Sequence, residues 1–281
     1  MTLIRVVCSK VRYVSGAILL LIFAVLSIFG TLLYPHGTPM DPTNLYAPAS
    51  WSHPFGTDFA GRDILGMVVL GTRPVIVVAV LAGIITLFVG TLVGLLSAYV
   101  GGILDTVLMR LTDFILALPS YPIMIVLAAV LHVSGALPMA ALLSVTAWAG
   151  LGRAIRSQVL STKKQEYIEA ARSLEIGHWR IAIGEMLPSL MPYIMMHLIM
   201  AVTAAVYGEV GLYFLGAVPV NSANWGVMLN WAFNVSGAIY TPQSALFLVA
   251  PLLAITLLQT GAVLFNQALE EYFNPNLRTS A

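Results

Sequence analysis

The sequence predicts an all-α fold, a polytopic helical bundle that crosses a lipid bilayer about six times. Two observations support this prediction. Hydrophobic residues make up 59% of the 281 residues and charged residues only 9%, whereas about 25% of the residues in a soluble domain are charged. Uncharged runs are also long enough to cross a bilayer, for which about 20 apolar residues suffice. These runs cover residues 13–40, 74–104, 114–152, 186–208 and 210–269.

The order of the spans follows from the polar and helix-breaking residues. The first apolar run, at residues 17–33, is longer than that of a signal peptide, so we expect a retained helix. A proline-rich polar stretch follows it at residues 35–73. The 39 residues 114–152 are too many for one crossing, and a break near Gly135 separates two spans. Asparagines and tryptophans in residues 221–241 indicate an interfacial or re-entrant segment. The predicted spans are residues 14–33, 75–100, 104–133, 137–154, 188–218 and 243–267.

Basic residues favour one orientation of this bundle. With a cytoplasmic N-terminus, eleven of the 13 lysines and arginines lie inside, and only Arg62 and Arg73 lie outside. Because basic residues are enriched in cytoplasmic loops, we expect both termini in the cytoplasm and six crossings. We therefore divide the chain into an N-terminal part (1–73), a five-helix core (74–270) with a cytoplasmic loop (153–187), and a cytoplasmic tail (271–281).

The loop between the fourth and fifth spans concentrates charge in a charge-poor chain. Residues 153–185 contain six basic and four acidic residues. Within them, four residues fall at i, i+3, i+4 and i+7, which predicts the apolar stripe of a short amphipathic helix; they are Tyr167, Ala170, Ala171 and Leu174. The two adjacent alanines leave room for the close approach of a partner surface. The composition of this loop alone would also fit a solvent-exposed connection between two spans that has no binding role.

This loop resembles a known motif. Residues 166–177, EYIEAARSLEIG, followed by Met-Leu-Pro at 186–188, are similar to the EAA loop of ABC-importer permeases. Further stretches resemble the dipeptide, oligopeptide and nickel branch of that family, at residues 53–63, 209–216, 224–229 and 274–278. The resemblance covers most of the chain and implies a type I ABC importer permease in a cell (inner) membrane.

The resemblance implies that the loop forms a coupling helix that docks into a groove on an ATPase subunit. The residues it assigns to this contact are Tyr167, Glu169, Ala170, Ala171, Leu174, Glu175 and Gly177. The family usually has glycine where this chain has Glu175, so the turn either shifts to Gly177 or forms without glycine.

The resemblance also implies partner proteins. They are a second homologous permease, two ATP-binding subunits and an extracytoplasmic solute-binding protein. The solute, a peptide, a metal chelate or an oligosaccharide, is largely selected by the binding protein in this family. The chain has no G-x-x-x-x-G-K-[ST] loop to cradle nucleotide phosphates. We therefore expect ATP and magnesium to bind to the partner subunits, and we expect no cofactor, catalytic site, metal or nucleic acid in this chain.

Glu209 is a candidate pathway or gate residue, because it interrupts a long uncharged run and ionisable groups within spans are costly. The family pattern also has glutamate here, which favours a structural or gating role over solute contact. The main alternative function is a secondary carrier with Glu209 as its ion site. An intramembrane enzyme is a third possibility, but the spans contain no paired acid–base, Ser/His or metal-ligand constellation.

Two groups of charged residues have simpler interpretations. Around His53 the prolines and glycines indicate turns, and Asp58 is a candidate helix cap rather than a metal ligand. Near the start of the third span, Asp105, Arg110 and Asp113 are three to five residues apart and can pair with one another.

Overall fold

The computed structural model describes residues 6–174, 176–219 and 223–274. Within these ranges the regular structure is helical, apart from one isolated bridge between Thr57 and Asp63. The predicted all-α membrane fold is therefore confirmed. The α-helices are α1 (Val11–Leu33), α2 (Ile64–Val100), α3 (Gly102–Ala117), α4 (Ser120–Leu131), α5 (Ala136–Thr162), α6 (Glu166–Ser173), α7 (His178–Ile181), α8 (Leu187–Phe214), α9 (Trp225–Asn234) and α10 (Ala245–Phe273).

Five helical segments are long and apolar enough to cross a membrane alone. They are α1, α2, α5, α8 with the π-helical turn Ala182–Met186 before it, and α10 with the 3₁₀ turn Pro242–Ser244 before it. A sixth segment consists of α3 and α4, which meet at an angle of 90°. The bend lies at Leu118 and Pro119, where both residues have extended backbone angles.

Two contacts show that the bent pair crosses the bundle. Lys10 Nζ lies 2.8 Å from Glu271 Oε2, so the first and last helices meet at one end of the bundle, which we call the termini face. Lys163 Nζ donates a hydrogen bond of 2.8 Å to the carbonyl of Ala98, so α5 ends beside the end of α2 on that same face. Helix α5 therefore starts at the opposite face, and α3 with α4 carries the chain there. The predicted number of six crossings is consistent with this path.

Several helix ends differ from the predicted spans. Helix α2 begins at Ile64 rather than residue 75, and it contains both Arg73 and Pro74. Its N-cap is Asp63, whose carboxylate accepts a hydrogen bond of 2.9 Å from the backbone N–H of Gly66. The prediction that Asp58 caps a short helix here is wrong, because its carboxylate accepts hydrogen bonds of 2.9 Å from the backbone N–H groups of Ala60 and Arg62 within a turn. Hydropathy placed the start too late, because a capped helix can extend beyond the apolar segment that crosses the lipid.

Helix α2 is the centre of the bundle and runs parallel to α5 at very short distance. A Cβ atom on Gly94 would lie 2.5 Å from the carbonyl oxygen of Gly152. Further along, Ser144 Oγ donates a hydrogen bond of 3.0 Å to the carbonyl of Ala82. Small residues allow such backbone approach between membrane helices, where packing replaces the hydrophobic drive of water.

The bent helix pair is held to α5 by charge. Arg156 donates two hydrogen bonds of 2.6 Å to the carboxylate of Asp105, and Arg153 pairs with Asp113. The predicted pairing of the two aspartates with Arg110 is therefore wrong. Both aspartates lie on α3 within reach of the two arginines on α5. The two parallel hydrogen bonds between Arg156 and Asp105 have the bidentate geometry that arginine and carboxylate groups favour.

Helix α9 is too short to cross a membrane, as the sequence predicted for this region. Its 10 residues give a length of about 15 Å. It packs between α8 and α10 on the opposite face, where Trp225 and Met228 are fully enclosed. Residues 221 and 222 of the predicted segment lie outside the described ranges.

Candidate functional site

The loop between α5 and α8 is attached firmly to the termini face. Lys163 donates hydrogen bonds to the carbonyls of Ala98 and Tyr99 at the end of α2, at 2.8 and 3.2 Å. Cations at this position complement the negative end of a helix dipole. Helix α6 then begins with the carbonyl of Gln165, which accepts a hydrogen bond of 3.0 Å from the backbone N–H of Ile168. The start of the short helix is thus fixed to two spans.

One side of α6 forms part of a second hydrophobic core. Ile168 is fully buried, and Ala171 is 8% exposed. They belong to a buried cluster that also includes Ile155 and Val159 of α5, and Ile181 at the start of the next span. This core therefore connects α6 to both flanking spans.

The other side of α6 faces away from the protein. Leu174 is 75% exposed and Tyr167 is 46% exposed, and Ala170 and Glu169 are exposed as well. The predicted apolar stripe is therefore divided, since Ala171 points into the core and the other three residues point outward. The inward anchor, Ile168, was not among the predicted residues. An eight-residue helix allows two overlapping stripes, and only the packing of the neighbouring spans selects between them.

The end of α6 does not use Gly177. The backbone N–H of Ile176 donates a hydrogen bond of 3.2 Å to the carbonyl of Ala171, which closes the helix end. Gly177 is exposed, its φ is not positive, and a Cβ there would meet nothing within 4 Å. Its carbonyl instead accepts a hydrogen bond of 2.9 Å from the N–H of Arg180, at the start of α7. Glu175 lies outside the described residues.

A groove with a volume of about 500 Å³ lies beside the start of α6 on the termini face. Its walls come from the ends of α5 and α10, the start of α8 and one residue of α6. The residues that define its shape are Gln158, Thr162, Tyr167, Tyr193, Glu270 and Phe273. The groove therefore brings the exposed tyrosine of α6 next to the last turn of the last span.

Glu209 lies in α8 and is 1% exposed. Its Oε1 atom accepts a hydrogen bond of 2.7 Å from the side-chain amide of Asn224. The other end of that amide accepts a hydrogen bond of 2.8 Å from the N–H of Gly226 and so caps α9. Glu209 thus fixes the short helix α9 to a membrane span. These contacts favour the structural role over solute contact, and a gating role stays a prediction.

Trp225 fixes α9 to a second span. Its indole N–H donates a hydrogen bond of 2.9 Å to the carbonyl of Val68 in α2, and its ring packs edge-on against Phe23 of α1 at 5.8 Å. A Cβ on Gly226 would lie 2.5 Å from the carbonyl of Val210, so only glycine fits here. Helix α9 is therefore seated on α1, α2 and α8 together.

The stretch between α1 and α2 also contacts α9. Asp58 is fully buried, and its carboxylate pairs with Arg62 at 2.6 Å. The guanidinium of Arg62 lies 4.3 Å from the centre of the Trp231 ring of α9, a cation–π contact. His53 Nδ1 lies 3.4 Å from Asp63. In the part of the chain that the structure describes, no three His, Cys, Asp or Glu residues group as metal ligands would.

Comparisons with known proteins agree with this architecture. The sequence profile of the family described as "Binding-protein-dependent transport system inner membrane component" matches residues 90–279. The dipeptide transport system permease protein DppC of Bacillus subtilis (strain 168) is 32% identical over 218 residues, which are 77% of this chain and 68% of the relative.

Oligopeptide permeases are similar over more of the chain. The oligopeptide transport system permease protein OppC of Bacillus subtilis (strain 168) is 30% identical over 266 residues, 94% of this chain and 85% of the relative. OppC of Lactococcus lactis subsp. cremoris (strain SK11) is 28% identical over 231 residues, 80% of this chain and 78% of the relative. This multi-pass membrane protein therefore belongs to the family of binding-protein-dependent transport system inner membrane components, in the branch of the DppC and OppC peptide permeases.

Proposed function

We propose that this chain is a permease subunit of an ATP-driven importer of peptides. The names of its relatives, which are dipeptide and oligopeptide permeases, support peptides as the solute. Family membership supports a transport subunit rather than an enzyme. In this proposal a second homologous permease completes the translocation pathway, and an extracytoplasmic solute-binding protein delivers the peptide.

The proposed contact with the ATPase is the exposed side of α6. The observation that carries this proposal is the division of α6 into an anchored side and a free side. Ile168 and Ala171 are buried against both flanking spans, while Tyr167, Ala170 and Leu174 are left exposed. Exposed apolar side chains on a rigidly mounted helix suit a binding surface for another protein. The small Ala170 between the two larger residues leaves room for a side chain of that partner.

The termini face is the cytoplasmic side in this proposal. Lys163 lies at this face and Arg156 lies near it. Basic residues are enriched on the cytoplasmic side of membrane proteins. This orientation places α6 and the groove beside it where soluble ATP-binding subunits can reach them. It places α9 and the stretch between α1 and α2 on the side of the solute-binding protein.

The mechanism then follows from the way α6 is mounted. ATP, bound with magnesium by two partner subunits, draws those subunits together and shifts α6. Because α6 shares one core with α5 and the segment before α8, the spans move as rigid bodies and the pathway opens to the other side. This chain contributes the mechanical connection and half of the pathway.

The test compares Ala170→Glu with Ala170→Ser. Ala170 is exposed, so neither change affects the core of the chain, but the glutamate places a bulky charge in the proposed interface. We expect the ATP-binding subunits, coexpressed from neighbouring genes, to copurify with the wild type and with Ala170→Ser but not with Ala170→Glu. Equal recovery of the ATP-binding subunits with the wild type and both variants would overturn the proposal that the exposed side of α6 is the docking surface. Peptide uptake that persists in vesicles depleted of ATP would instead favour a secondary carrier.

A further inference from the structure

A cavity of about 330 Å³ lies between α2, α4, α5 and α8 and opens at the surface of the chain, where Tyr121, Ala147 and Tyr207 of its lining are exposed. This volume lies at the lower end of the range for small-molecule sites. One wall, formed by α8, consists mostly of alanine and glycine, including Ala201, Ala204 and Gly208. Tyr121 and Tyr207 stand at the more exposed side, where the Tyr121 hydroxyl donates a hydrogen bond of 3.1 Å to the carbonyl of Tyr207. No described residue that lines the cavity is charged.

Two threonines in this cavity have hydroxyl groups without partners. Thr86 of α2 is 5% exposed and Thr146 of α5 is 8% exposed. No described residue forms a hydrogen bond with either hydroxyl. Elsewhere in the spans, the hydroxyls of Thr72 and Thr112 donate to the carbonyl four residues earlier, at 3.0 and 2.8 Å, as is usual for threonine in membrane helices.

Both side chains are mostly buried, but their hydroxyl oxygens keep some exposure, which the cavity provides. Both lie on the parallel pair α2 and α5 and open into one cavity, so a single ligand can reach both. A hydroxyl can donate and accept, which suits the alternating N–H and C=O groups of a peptide main chain. The flat alanine and glycine wall accommodates different side chains, and a metal chelate would find no described charged group here.

We propose that this cavity is a transit subsite for peptides, in which Thr86 and Thr146 form hydrogen bonds with main-chain amides of the solute. This inference rests on the proposed function and adds to it a place of contact in the membrane. Neutral hydroxyls bind amides weakly, since one such bond changes affinity by only about 2- to 13-fold. Weak contact suits a site that a solute must leave, as in other conducting pathways.

The first experiment uses cysteine accessibility in the complete importer, with binding protein and ATP-binding subunits, in proteoliposomes. The chain has one cysteine, Cys8, so Cys8→Ser gives a background in which Thr86→Cys or Thr146→Cys is the only thiol of this chain, whose labelling is read after separation from the other subunits. Ser161→Cys, exposed at the end of α5, is the matched control. The probe is trialanine, and the readout is labelling by N-ethylmaleimide during ATP turnover. We expect trialanine to slow labelling at 86 and 146 at least about threefold and to leave 161 unchanged.

The second experiment removes the hydroxyls without changing side-chain size. The double variant Thr86→Val and Thr146→Val loses two such bonds and should import trialanine at least about 5-fold more slowly at low concentration, while it copurifies normally with its ATP-binding subunits. Thr91→Val is the control, because the Thr91 hydroxyl is fully enclosed without a partner among the described residues and does not line the cavity.

The outcomes separate the subsite from the proposed function. One outcome is that the wild type imports trialanine, that trialanine leaves labelling at 86 and 146 unchanged, and that the double valine variant imports normally. In that case the subsite is wrong and the peptide importer stands. Equal protection at position 161 would mean a general conformational change and would also overturn the subsite. If the wild type imports neither trialanine nor a mixed tripeptide pool with ATP, both proposals fail.

Discussion

The link between Glu209 and α9 makes a quantitative prediction for Asn224→Ala. This change removes the N-cap of α9, which costs about 1 kcal/mol. It also removes the donor to the buried carboxyl group of Glu209 at 2.7 Å, and a buried acceptor without a partner costs about 1–3 kcal/mol. The sum is a loss of about 2–4 kcal/mol in the free energy of unfolding. For a chain of this size, that corresponds to a fall in Tm on the order of 5–10 °C.

A double-mutant cycle separates the two contributions. Asn224→Ser keeps a capping oxygen but cannot donate to Glu209 as the amide does. It should therefore lose only the contribution of the hydrogen bond to Glu209, about 1–3 kcal/mol. In Asn224→Ala with Glu209→Leu, both partners are replaced, and the penalty for an unpaired carboxyl disappears. The double variant should therefore be more stable than the sum of the single changes predicts, by about 1–2 kcal/mol.

Thermal unfolding of the purified protein in detergent, followed by intrinsic tryptophan fluorescence, measures these differences. Trp225 lies directly beside the cap and is fully buried, so its exposure on release of α9 contributes to the emission change of the five tryptophans. Strict additivity of the single changes in the double variant would refute the reasoning, because it would mean that Glu209 and Asn224 stabilise the fold independently.

Three further predictions concern packing. Ile168→Asp should expose the loop 153–187 to trypsin, because Ile168 is fully buried, whereas Tyr167→Asp, on the exposed side, should leave the digestion pattern unchanged. Gly94→Ala should lower Tm, because its Cβ would lie 2.5 Å from a backbone oxygen of α5, whereas Gly150→Ala, with nothing within 4 Å, should raise stability by up to about 1 kcal/mol. Arg62→Lys should cost about 1–3 kcal/mol, since lysine cannot form the same planar pair and ring contact, and limited proteolysis of residues 34–63 detects the loosening.

The spans were predictable because the hydrocarbon core excludes charge and requires a minimum helix length. The number of crossings followed from the same rule together with the break after the third span. The start of α2 was not predictable in this way, since its first turns are buried by protein rather than by lipid. The 90° bend between α3 and α4 was also missed. Pro119 could have indicated it, because the residue before a proline is restricted to extended angles.

The candidate site was predictable in position but not in orientation. The apolar stripe at residues 167–174 predicted a short helix, and α6 occupies residues 166–173. Which side of it is anchored depends on Ile155 and Val159 of α5, and no local periodicity of the loop contains that information. The cross-helix pair of Arg156 with Asp105 is similar, because sequence spacing suggests neighbours on one helix and only the packing of two helices brings these residues together.

The contact between Lys10 and Glu271 has a consequence for the biogenesis of the protein. These residues are 261 positions apart, and the hydroxyl of Tyr13 donates to the same carboxylate at 2.6 Å. During synthesis α1 is made before α10, so it enters the membrane without this partner. The contact can form only after α10 has been made, since non-local contacts form late in folding. A chain that is truncated before α10 therefore lacks the carboxylate that accepts from Lys10 and Tyr13.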